Sequence, residues 1–284
     1  MYKFIDLFAG IGGFHYAFSN VGAQCVFASE LDLHARKTYF ENHQIKEENF
    51  AGDINLVNIE NIPDFNILCA GFPCQPFSQA GFKKGFSDTR GTLFFKILEI
   101  IDKKSPDAFF LENVRHLYKH DDGNTFETIK NSLLERGYSF QHFLVKASDY
   151  GLPQHRPRLF MIGFKNGAKI DQPQKLLLKF TMSDVLNGKC AKEIGYTLRV
   201  GGRGSAITDR RNWDSYKVDD NIVRIGAKEG LLMQGFPDDF KFPVSATQAM
   251  KQLGNSVAIP AIQAFAGEII KALDNRDVDN VKTA

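Results

Sequence analysis

Short apolar runs alternate with amphipathic segments over the first two thirds of the 284-residue chain. Apolar runs bounded by Gly, Pro or polar residues are typical of buried strands, whereas apolar residues spaced three and four apart are typical of helices. The predicted strands cover residues 2–7, 25–29, 65–70, 108–111, 138–146 and 158–164, and the predicted helices cover residues 14–20, 33–42, 93–103 and 125–136. Such alternation predicts an α/β fold with a doubly wound, mostly parallel sheet.

The pattern changes after residue 163. Gly residues and charges interrupt the apolar pattern over residues 164–245, which predicts a second, smaller lobe of mixed structure. Residues 246–284 contain an amphipathic segment at 258–273, which we expect to form a helix that packs back on the first domain. The predicted division is therefore 1–163, 164–245 and 246–284.

Composition narrows the class of protein further. The four cysteines, Cys25, Cys69, Cys74 and Cys190, form neither CxxC pairs nor a disulfide framework, which favours a reducing compartment, most simply the cytoplasm. We find no signal-peptide pattern and no run of about 18 uncharged apolar residues, so no membrane span is expected. The net charge of +2 does not itself indicate a nucleic-acid binder, although residues 164–245 carry 14 Lys or Arg against 10 Asp or Glu.

A glycine-rich turn, DLFAGIGG at residues 6–13, joins the first predicted strand to the first predicted helix. Its G-x-G-G spacing differs from the G-x-G-x-x-G of NAD enzymes, which weakens a pyrophosphate-binding interpretation. Glu30 follows Gly10 by 20 residues, the offset at which an acid meets ribose hydroxyls. Asp53 stands where a third strand should end, placed to accept from an adenine amino group. An adenosine ligand without phosphates, S-adenosylmethionine, fits best; a plain strand–turn–helix with incidental acids is the alternative.

A cysteine stands in a proline-framed turn, GFPCQPFS at residues 71–78, directly after the predicted strand 65–70. In an open α/β sheet, ligands and chemistry lie at the carboxyl ends of the strands. Cys74 is therefore a candidate nucleophile, although from local sequence alone a buried, inert thiol is the alternative.

Nine segments, in order along nearly the whole chain, resemble the motifs of the cytosine-C5 DNA methyltransferases. They are DLFAGIGGF at 6–14, Glu30, GDI at 52–54, GFPCQPFS at 71–78, RGTLF at 90–94, ENV at 112–114, QHRPR at 154–158, TLRVGG at 197–202 and QLGNSV at 252–257. The resemblance implies a fold of the S-adenosylmethionine-dependent type, with a catalytic and cofactor-binding domain over residues 1–163 and a target-recognition lobe over residues 164–245. It also implies the modification enzyme of a bacterial restriction-modification system, with an orphan methyltransferase as the alternative.

The implied reaction moves a methyl group from S-adenosylmethionine to C5 of a flipped-out cytosine in a short duplex DNA site, through a covalent adduct between Cys74 and C6. Glu112 would protonate or hydrogen-bond N3, while Arg158, and more loosely Arg156, would hold the cytosine O2 and a neighbouring phosphate. From local sequence alone, a helix N-terminal carboxylate is the favoured interpretation of Glu112, and only its occurrence together with Cys74 reverses this. No residue stands out as the base that removes the C5 proton, and water or hydroxide would serve.

The resemblance also assigns cofactor contacts: Phe8 against the adenine, Glu30 on the ribose and Asp53 on the exocyclic amine, with Pro73 and Leu93 as apolar walls. The full implied cofactor-binding set is Phe8, Gly10, Ile11, Gly12, Gly13, Glu30, Leu31, Asp53, Ile54, Pro73, Leu93, Asn255 and Ser256. No metal is implied.

The target nucleotide must leave the duplex for its C6 to reach a thiol, so residues 75–91 are predicted to form a lid that closes over it. The implied DNA-binding residues are Gln75, Ser78, Lys83, Lys84, Arg90, Arg199, Arg203, Arg210 and Arg211. The interval at residues 165–196 is short for the family, and residues 203–217 are expected to carry part of the sequence reading.

The implied partner is double-stranded DNA. The resemblance also implies a monomer in the bacterial cytoplasm, associated with the nucleoid, and a cognate restriction endonuclease that acts on the same site without forming a stable complex.

Three other functions compete with this interpretation. A tRNA cytosine-C5 methyltransferase on the same scaffold would use the same chemistry and differ only in the reading lobe. A catalytically silent DNA-binding relative is disfavoured by the intact Cys74, Glu112 and Arg158. A NAD-dependent oxidoreductase is disfavoured by the G-x-G-G spacing.

Overall fold

The computed structural model describes residues 1–73 and 92–282, with side chains described for residues 1–73 and 93–275. Within these residues one large sheet contains β1 (Lys3–Leu7), β2 (Gln24–Ser29), β3 (Phe50–Ala51), β4 (Ile67–Gly71), β5 (Ala108–Val114), β6 (Gln141–Lys146) and β7 (Pro157–Phe164). The strand order is β3-β2-β1-β4-β5-β7-β6. Strand β7 pairs antiparallel with β5 and β6, whereas the other pairs are parallel. The predicted α/β fold with a mostly parallel sheet is confirmed.

Helices connect these strands and continue beyond them. They are α1 (Gly13–Ser19), α2 (Leu33–Asn42), α3 (Thr92–Lys104), α4 (Asn124–Leu134), α5 (Met182–Leu186), α6 (Ala227–Gln234), α7 (Ala246–Asn255) and α8 (Ile259–Lys282). Short 3-10 segments lie at Glu47–Asn49, Ile54–Leu56, Ile59–Asn61, Arg115–Gly123 and Ala147–Asp149, and a hairpin is formed by β8 (Ser215–Val218) and β9 (Asn221–Arg224). The pattern of apolar residues predicted α1 to α4 to within two residues at each end.

Helix α7 was not among the predicted elements, although the motif QLGNSV at 252–257 overlaps its end. Two local features explain the helix. The Ser245 hydroxyl accepts a hydrogen bond from the backbone N–H of Gln248 at 3.4 Å, which caps its first turn. Ala249, Met250 and Leu253 then bury one face at helical spacing. The end of α7 therefore carries the motif into the core.

The strand order reverses at β1 and β4, which lie side by side at the centre of the sheet. In doubly wound sheets ligands bind in the crevice outside the carboxyl ends of such neighbouring strands. Leu7 ends β1 and leads into the glycine-rich turn, while Gly71 ends β4 and leads towards Cys74. The fold thus places the two most informative sequence motifs next to one another.

Successive residues of each central strand face opposite sides of the sheet, and each side has its own core. Phe4, Cys69 and Phe110 pack on the side of α1 and α8. Ile5, Leu68 and Phe109 pack on the side of α3 and α4. The first of these cores continues without interruption into residues 164–245 through a set that includes Met182, Val185, Leu198, Trp213, Tyr216 and Met233. The predicted domain boundaries stay a prediction.

Helix α8 packs against α1 and the sheet, as its amphipathic pattern predicted. Phe265 lies among the rings of Phe143 at 5.0 Å, Phe160 at 5.2 Å and Tyr150 at 5.9 Å between centroids. The segment Ala246–Asn275, which spans α7 and most of α8, is long and apolar enough to cross a membrane, but 56% of its most apolar window is buried inside the protein. This packing accounts for its apolar composition.

We predict that Phe265→Ala lowers the free energy of unfolding by about 3–5 kcal/mol, because the ring is fully buried and the surrounding aromatic side chains close only part of the cavity. Urea titration followed by circular dichroism measures the change. Leu177→Ala is the control, since Leu177 is 91% exposed and its truncation should change stability by less than about 0.5 kcal/mol. A loss for Phe265→Ala no larger than that of the control would contradict the assigned role of α8.

Candidate active site

The turn after β1 leaves space for a ligand beside its backbone. Gly10 and Gly12 have φ angles of 57° and 83°, in the left-handed region that glycine adopts without a steric penalty. Phe8 also has a positive φ of 56°, an uncommon conformation for a bulky residue. A Cβ atom added to Gly10 would meet no heavy atom within 4 Å, so this part of the turn borders open space.

Glu30 fastens the glycine turn to the end of β2. The backbone N–H of Gly10 donates to Glu30 Oε2 at 2.8 Å, and the backbone N–H of Asp32 donates to Oε1 at 2.7 Å. An ionised carboxylate has about four acceptor positions, so these two bonds leave capacity for ligand hydroxyls. The offset of 20 residues therefore places Glu30 beside the turn as expected, while its contact with a ribose stays a prediction.

Asp53 lies two residues beyond the end of β3, where the sequence placed it. Its Oδ1 accepts hydrogen bonds from the backbone N–H and the side-chain amide of Asn55, both at 2.9 Å. Its Oδ2 bonds to no residue that the structure describes, so one oxygen remains for an amine donor. Leu31, which directly follows Glu30, is 67% exposed and offers apolar surface. Ile54, which directly follows Asp53, is buried in the core.

The carboxyl-terminal motif lies directly against the first turn of α1. A Cβ atom added to Gly13 would stand 2.5 Å from Val257 Cγ2 and 3.3 Å from Ser256 Oγ. Asn255 is exposed at the end of α7, and Ser256 is buried. Of the apolar walls, Pro73 is exposed and Leu93 is half-buried. The glycine turn, Glu30 and Ser256 thus lie together at the carboxyl ends of β1 and β2, while Pro73 follows β4 and Asp53 follows β3.

His43 packs against the glycine turn. The sequence analysis did not identify His43, because a single histidine after a helix belongs to no recognisable pattern. Its Nε2 lies 3.1 Å from the carbonyl oxygen of Ile11, and a Cβ atom at Gly12 would lie 2.0 Å from this nitrogen. The His15 ring stacks on the His43 ring with 4.2 Å between centroids. Burial lowers the pKa of His43 to about 4 and that of His15 to about 3, so both rings are neutral near pH 7.

Glu112 and Arg158 form a buried ion pair at the end of β4. Glu112 pairs with Gly71 across the sheet, and Arg158 Nε lies 2.8 Å from Glu112 Oε1. Burial raises the pKa of Glu112 above its ordinary value, against the opposing charges of Arg158 and Arg156. A carboxyl group with a raised pKa retains its proton to a higher pH, as a proton donor requires.

The side chain of Asn113 links the end of β5 to the segment that precedes Cys74. Its side-chain amide donates to the carbonyl oxygen of Phe72 at 2.9 Å. The sequence placed Asn113 within a motif without giving it a role. The lid predicted over residues 75–91 lies outside the described residues, as do Cys74, Gln75, Ser78, Lys83, Lys84 and Arg90.

Arg156 lies inside the protein, with 1% of its surface exposed. It donates to the backbone carbonyls of Leu198 at 3.2 Å and Gly254 at 2.9 Å, and also to that of Ser256. These bonds join the strand start at Pro157 to two segments far away in sequence. Its predicted contact with the cytosine stays a prediction, and the observed contacts describe a structural link.

Gln154 forms a second link beside Arg156. Its side-chain amide donates to the carbonyl oxygen of Met233 at 2.9 Å, and its side-chain oxygen accepts from the backbone N–H of Leu198 at 3.1 Å. The motif QHRPR therefore fixes the position of the segment at residues 197–202 through two buried side chains.

The four arginines expected to read DNA differ in their surroundings. Arg203 contacts the fully buried Asp214 at 3.5 Å and shares it with Arg224, which lies 3.3 Å away. Arg211 pairs with Asp209 at 2.7 Å. Two others are exposed and form no ion pair within the described part of the chain: Arg199 and Arg210. Their contacts with DNA stay predictions, and two of the four already form ion pairs with acidic residues of the protein.

A family model described as C-5 cytosine-specific DNA methylase matches residues 2–194 and 187–271 of the chain. The chain belongs to this family of DNA cytosine methyltransferases. This membership confirms the resemblance, the methyltransferase activity and the fold type, and it leaves no ground for the NAD-dependent oxidoreductase.

The methylase is similar to named relatives over nearly its whole length. The Type II methyltransferase M.NlaX of Neisseria lactamica is 42% identical, over 96% of this chain and 97% of that protein. M.HhaI of Haemophilus parahaemolyticus is 38% identical, over 96% and 95%. Among solved structures, the Dnmt2 methyltransferase of S. pombe superposes with a TM-score of 0.73 at 18% identity, covering 96% of this chain and 99% of that one. That likeness shows a shared fold.

We predict that Gly12→Ala weakens binding of S-adenosylmethionine to the methylase by at least about tenfold, equal to 1.4 kcal/mol. The added Cβ would displace His43 and deform the turn. Gly22→Ala is a matched control, because Gly22 has a φ of 84° but no atom within 4 Å of an added Cβ. Isothermal titration calorimetry gives both affinities. Equal affinities for the two variants would show that His43 does not fix this turn.

Proposed function

We propose that this methylase transfers a methyl group from S-adenosylmethionine to C5 of a cytosine flipped out of a short duplex DNA site, by way of a covalent bond between Cys74 and C6. The observation that carries the proposal is the buried pair of Glu112 and Arg158 beside Gly71, three residues before Cys74. The ligand-accessible glycine turn stands at the end of the adjoining strand β1.

The reaction requires a protein nucleophile and a protein acid that act on the same cytosine ring. Cytosine C5 becomes nucleophilic when the Cys74 thiolate adds to C6 and N3 takes a proton, which Glu112 supplies. When bound, S-adenosylmethionine would supply the electrophilic methyl group that C5 takes up, with S-adenosylhomocysteine as the other product. A water or hydroxide then removes the C5 proton, and the bond between Cys74 and C6 breaks to restore the thiolate. N3 returns its proton to Glu112, which restores both the aromatic ring and the acid.

Arg158 and Arg156 differ in their proposed parts. Arg158 holds the Glu112 carboxyl in place through Nε and contacts the Pro157 carbonyl oxygen through Nη1 at 2.9 Å. Arg158 lies at the edge of a cleft where a base would enter, so we assign to it the contact with the cytosine O2. Arg156, bonded to three backbone carbonyls, is a positioning residue that sets the wall of the site.

The described residues fit S-adenosylmethionine. Gly10 borders open space, Glu30 retains acceptor capacity for ribose hydroxyls, and Asp53 Oδ2 is available to the adenine amine. Leu31 and Phe8 offer apolar contacts for the adenine ring. Together these groups match the adenosine part of S-adenosylmethionine better than a pyrophosphate.

The relatives are named as Type II methyltransferases, which supports a modification enzyme of a restriction system. On this proposal the methylase acts in the cytoplasm on nucleoid DNA as a monomer. A cognate endonuclease recognises the same site without forming a stable complex with it. The duplex must release its target base, at a cost of a few kcal/mol.

Transfer of a labelled methyl group from S-adenosylmethionine tests the substrate. Unmethylated duplex DNA and tRNA are offered in parallel, and the modified nucleosides are separated by chromatography. Label recovered from DNA as 5-methylcytosine is expected. Label on tRNA alone would contradict the DNA substrate while leaving the chemistry intact, and no label on either nucleic acid would support the silent relative.

We predict that Glu112→Gln lowers kcat by at least about 100-fold, because an amide cannot deliver a proton to N3. Single-turnover methyl transfer to duplex DNA measures the effect. Glu127→Gln, on the surface of α4, removes the same charge away from the site and should keep the wild-type rate. A Glu112→Gln rate within threefold of the wild type would remove Glu112 from the mechanism.

A further inference from the structure

A cationic cleft of about 620 Å³ opens beside Arg158. One wall is the 3-10 segment Arg115–Gly123, which contributes Arg115, His116 and Lys119. The opposite wall contains Thr197 and Arg199. Sequence reasoning gave no role to the first wall, although it follows directly after the motif that contains Glu112.

The local structure of the first wall directs its charges outward. Leu117 is fully buried, and the Tyr118 ring packs on Phe126 with 4.9 Å between centroids. These two anchors fix the segment, while the residues on either side, Arg115 and Lys119, are exposed. The segment is therefore a fixed support for cations.

Three positive charges in the cleft are uncompensated within the described part of the chain, whereas Arg158 pairs with Glu112. Arg115, Lys119 and Arg199 form no ion pair with any residue that the structure describes. Other exposed cations do, as Arg211 does with Asp209 at 2.7 Å. The acidic residues that end the segment do not line the cleft: Asp121 and Asp122. A cleft lined by positive charges attracts a polyanion and strengthens its binding.

The position of the cleft identifies which part of the polyanion it meets. Strand β5 runs from Glu112 through Val114 into Arg115, so the wall begins three residues after the proposed acid. Arg158 borders the cleft and also holds Glu112. A nucleotide whose base reaches Glu112 must therefore carry its flanking phosphates past this opening.

We infer that Arg115, His116 and Lys119 bind backbone phosphates of the target strand next to the flipped cytosine. This inference rests on the proposed function and adds a contact surface to it. Contacts of this kind position the strand and carry no sequence information. They contribute to affinity through release of counterions, so their signature is a dependence on salt.

The test compares Arg115→Gln/Lys119→Gln with a matched control, Lys103→Gln/Lys165→Gln. Both control lysines are exposed. They lie at the opposite edge of the sheet, since Lys103 precedes β5 and Lys165 follows β7, whose last residue pairs with Ala108. Both variants remove two positive charges, so a general effect of net charge would appear in both.

Fluorescence anisotropy measures the dissociation constant of each protein for two labelled duplexes over a salt series. One duplex has a random sequence, and the other contains a site mapped by methyl transfer. For the cleft variant the slope of log K against log salt should become shallower by about 1.8, or about 0.9 for each lost phosphate contact. The affinity for both duplexes should fall by the same factor, while the control keeps the wild-type slope.

Three results would overturn the inference. An unchanged slope in a variant of wild-type Tm would show that the cleft does not contact DNA. Weaker binding of the mapped duplex alone would indicate base reading instead. Loss of inorganic phosphate binding without loss of duplex binding would indicate a small-anion site. Failure of the proposed function is distinct, because wild-type protein would then transfer no methyl group to DNA.

Discussion

Parallel pairing of β1 with β4 and of β4 with β5 brings three strand ends together at one edge of the sheet. Each end leads into a different chemical feature: the glycine turn after Leu7, the cysteine segment after Gly71, and Glu112 near the end of β5. Because the register pairs Gly71 with Glu112, the acid lies beside the segment that leads to the nucleophile. The chemistry of the site follows from this register, since a shift of one residue would turn Glu112 to the other face of the sheet.

Buried charge is the second constraint on the site. Arg156 lies inside the protein with all its observed bonds to backbone carbonyls, and Glu112 and Arg158 pair beside it. Two guanidinium groups and one carboxylate leave a net positive charge at the end of β4 while Glu112 is ionised. Positive surroundings in general lower the pKa of a thiol, which is what the proposed thiolate chemistry would require. Burying these groups is costly, so their arrangement indicates function rather than stability.

Local patterns predicted the sheet, its first four helices and the acids at its edge, because strand periodicity and the Gly10 to Glu30 offset are recorded in short stretches of chain. The remainder depends on contacts between distant segments. His43 acts through the space that Gly12 leaves open, and Arg156 acts through Leu198 and Gly254, about 40 and 100 residues away. Nothing in the neighbouring sequence marks such partners. The sequence analysis missed the wall at Arg115 and Lys119 for the same reason, because these residues form a cationic cleft only together with Arg199.

The central claim is that Cys74 bonds to C6 of the target cytosine with Glu112 as the acid. A duplex whose mapped target cytosine carries fluorine at C5 tests it directly, because a C5 without a proton cannot complete the elimination that frees the enzyme. After incubation with S-adenosylmethionine and proteolysis, mass spectrometry should find the nucleotide attached to the peptide that contains Cys74. Adduct on another residue, or methylation of the normal duplex with no adduct on the fluorinated one, would contradict the account.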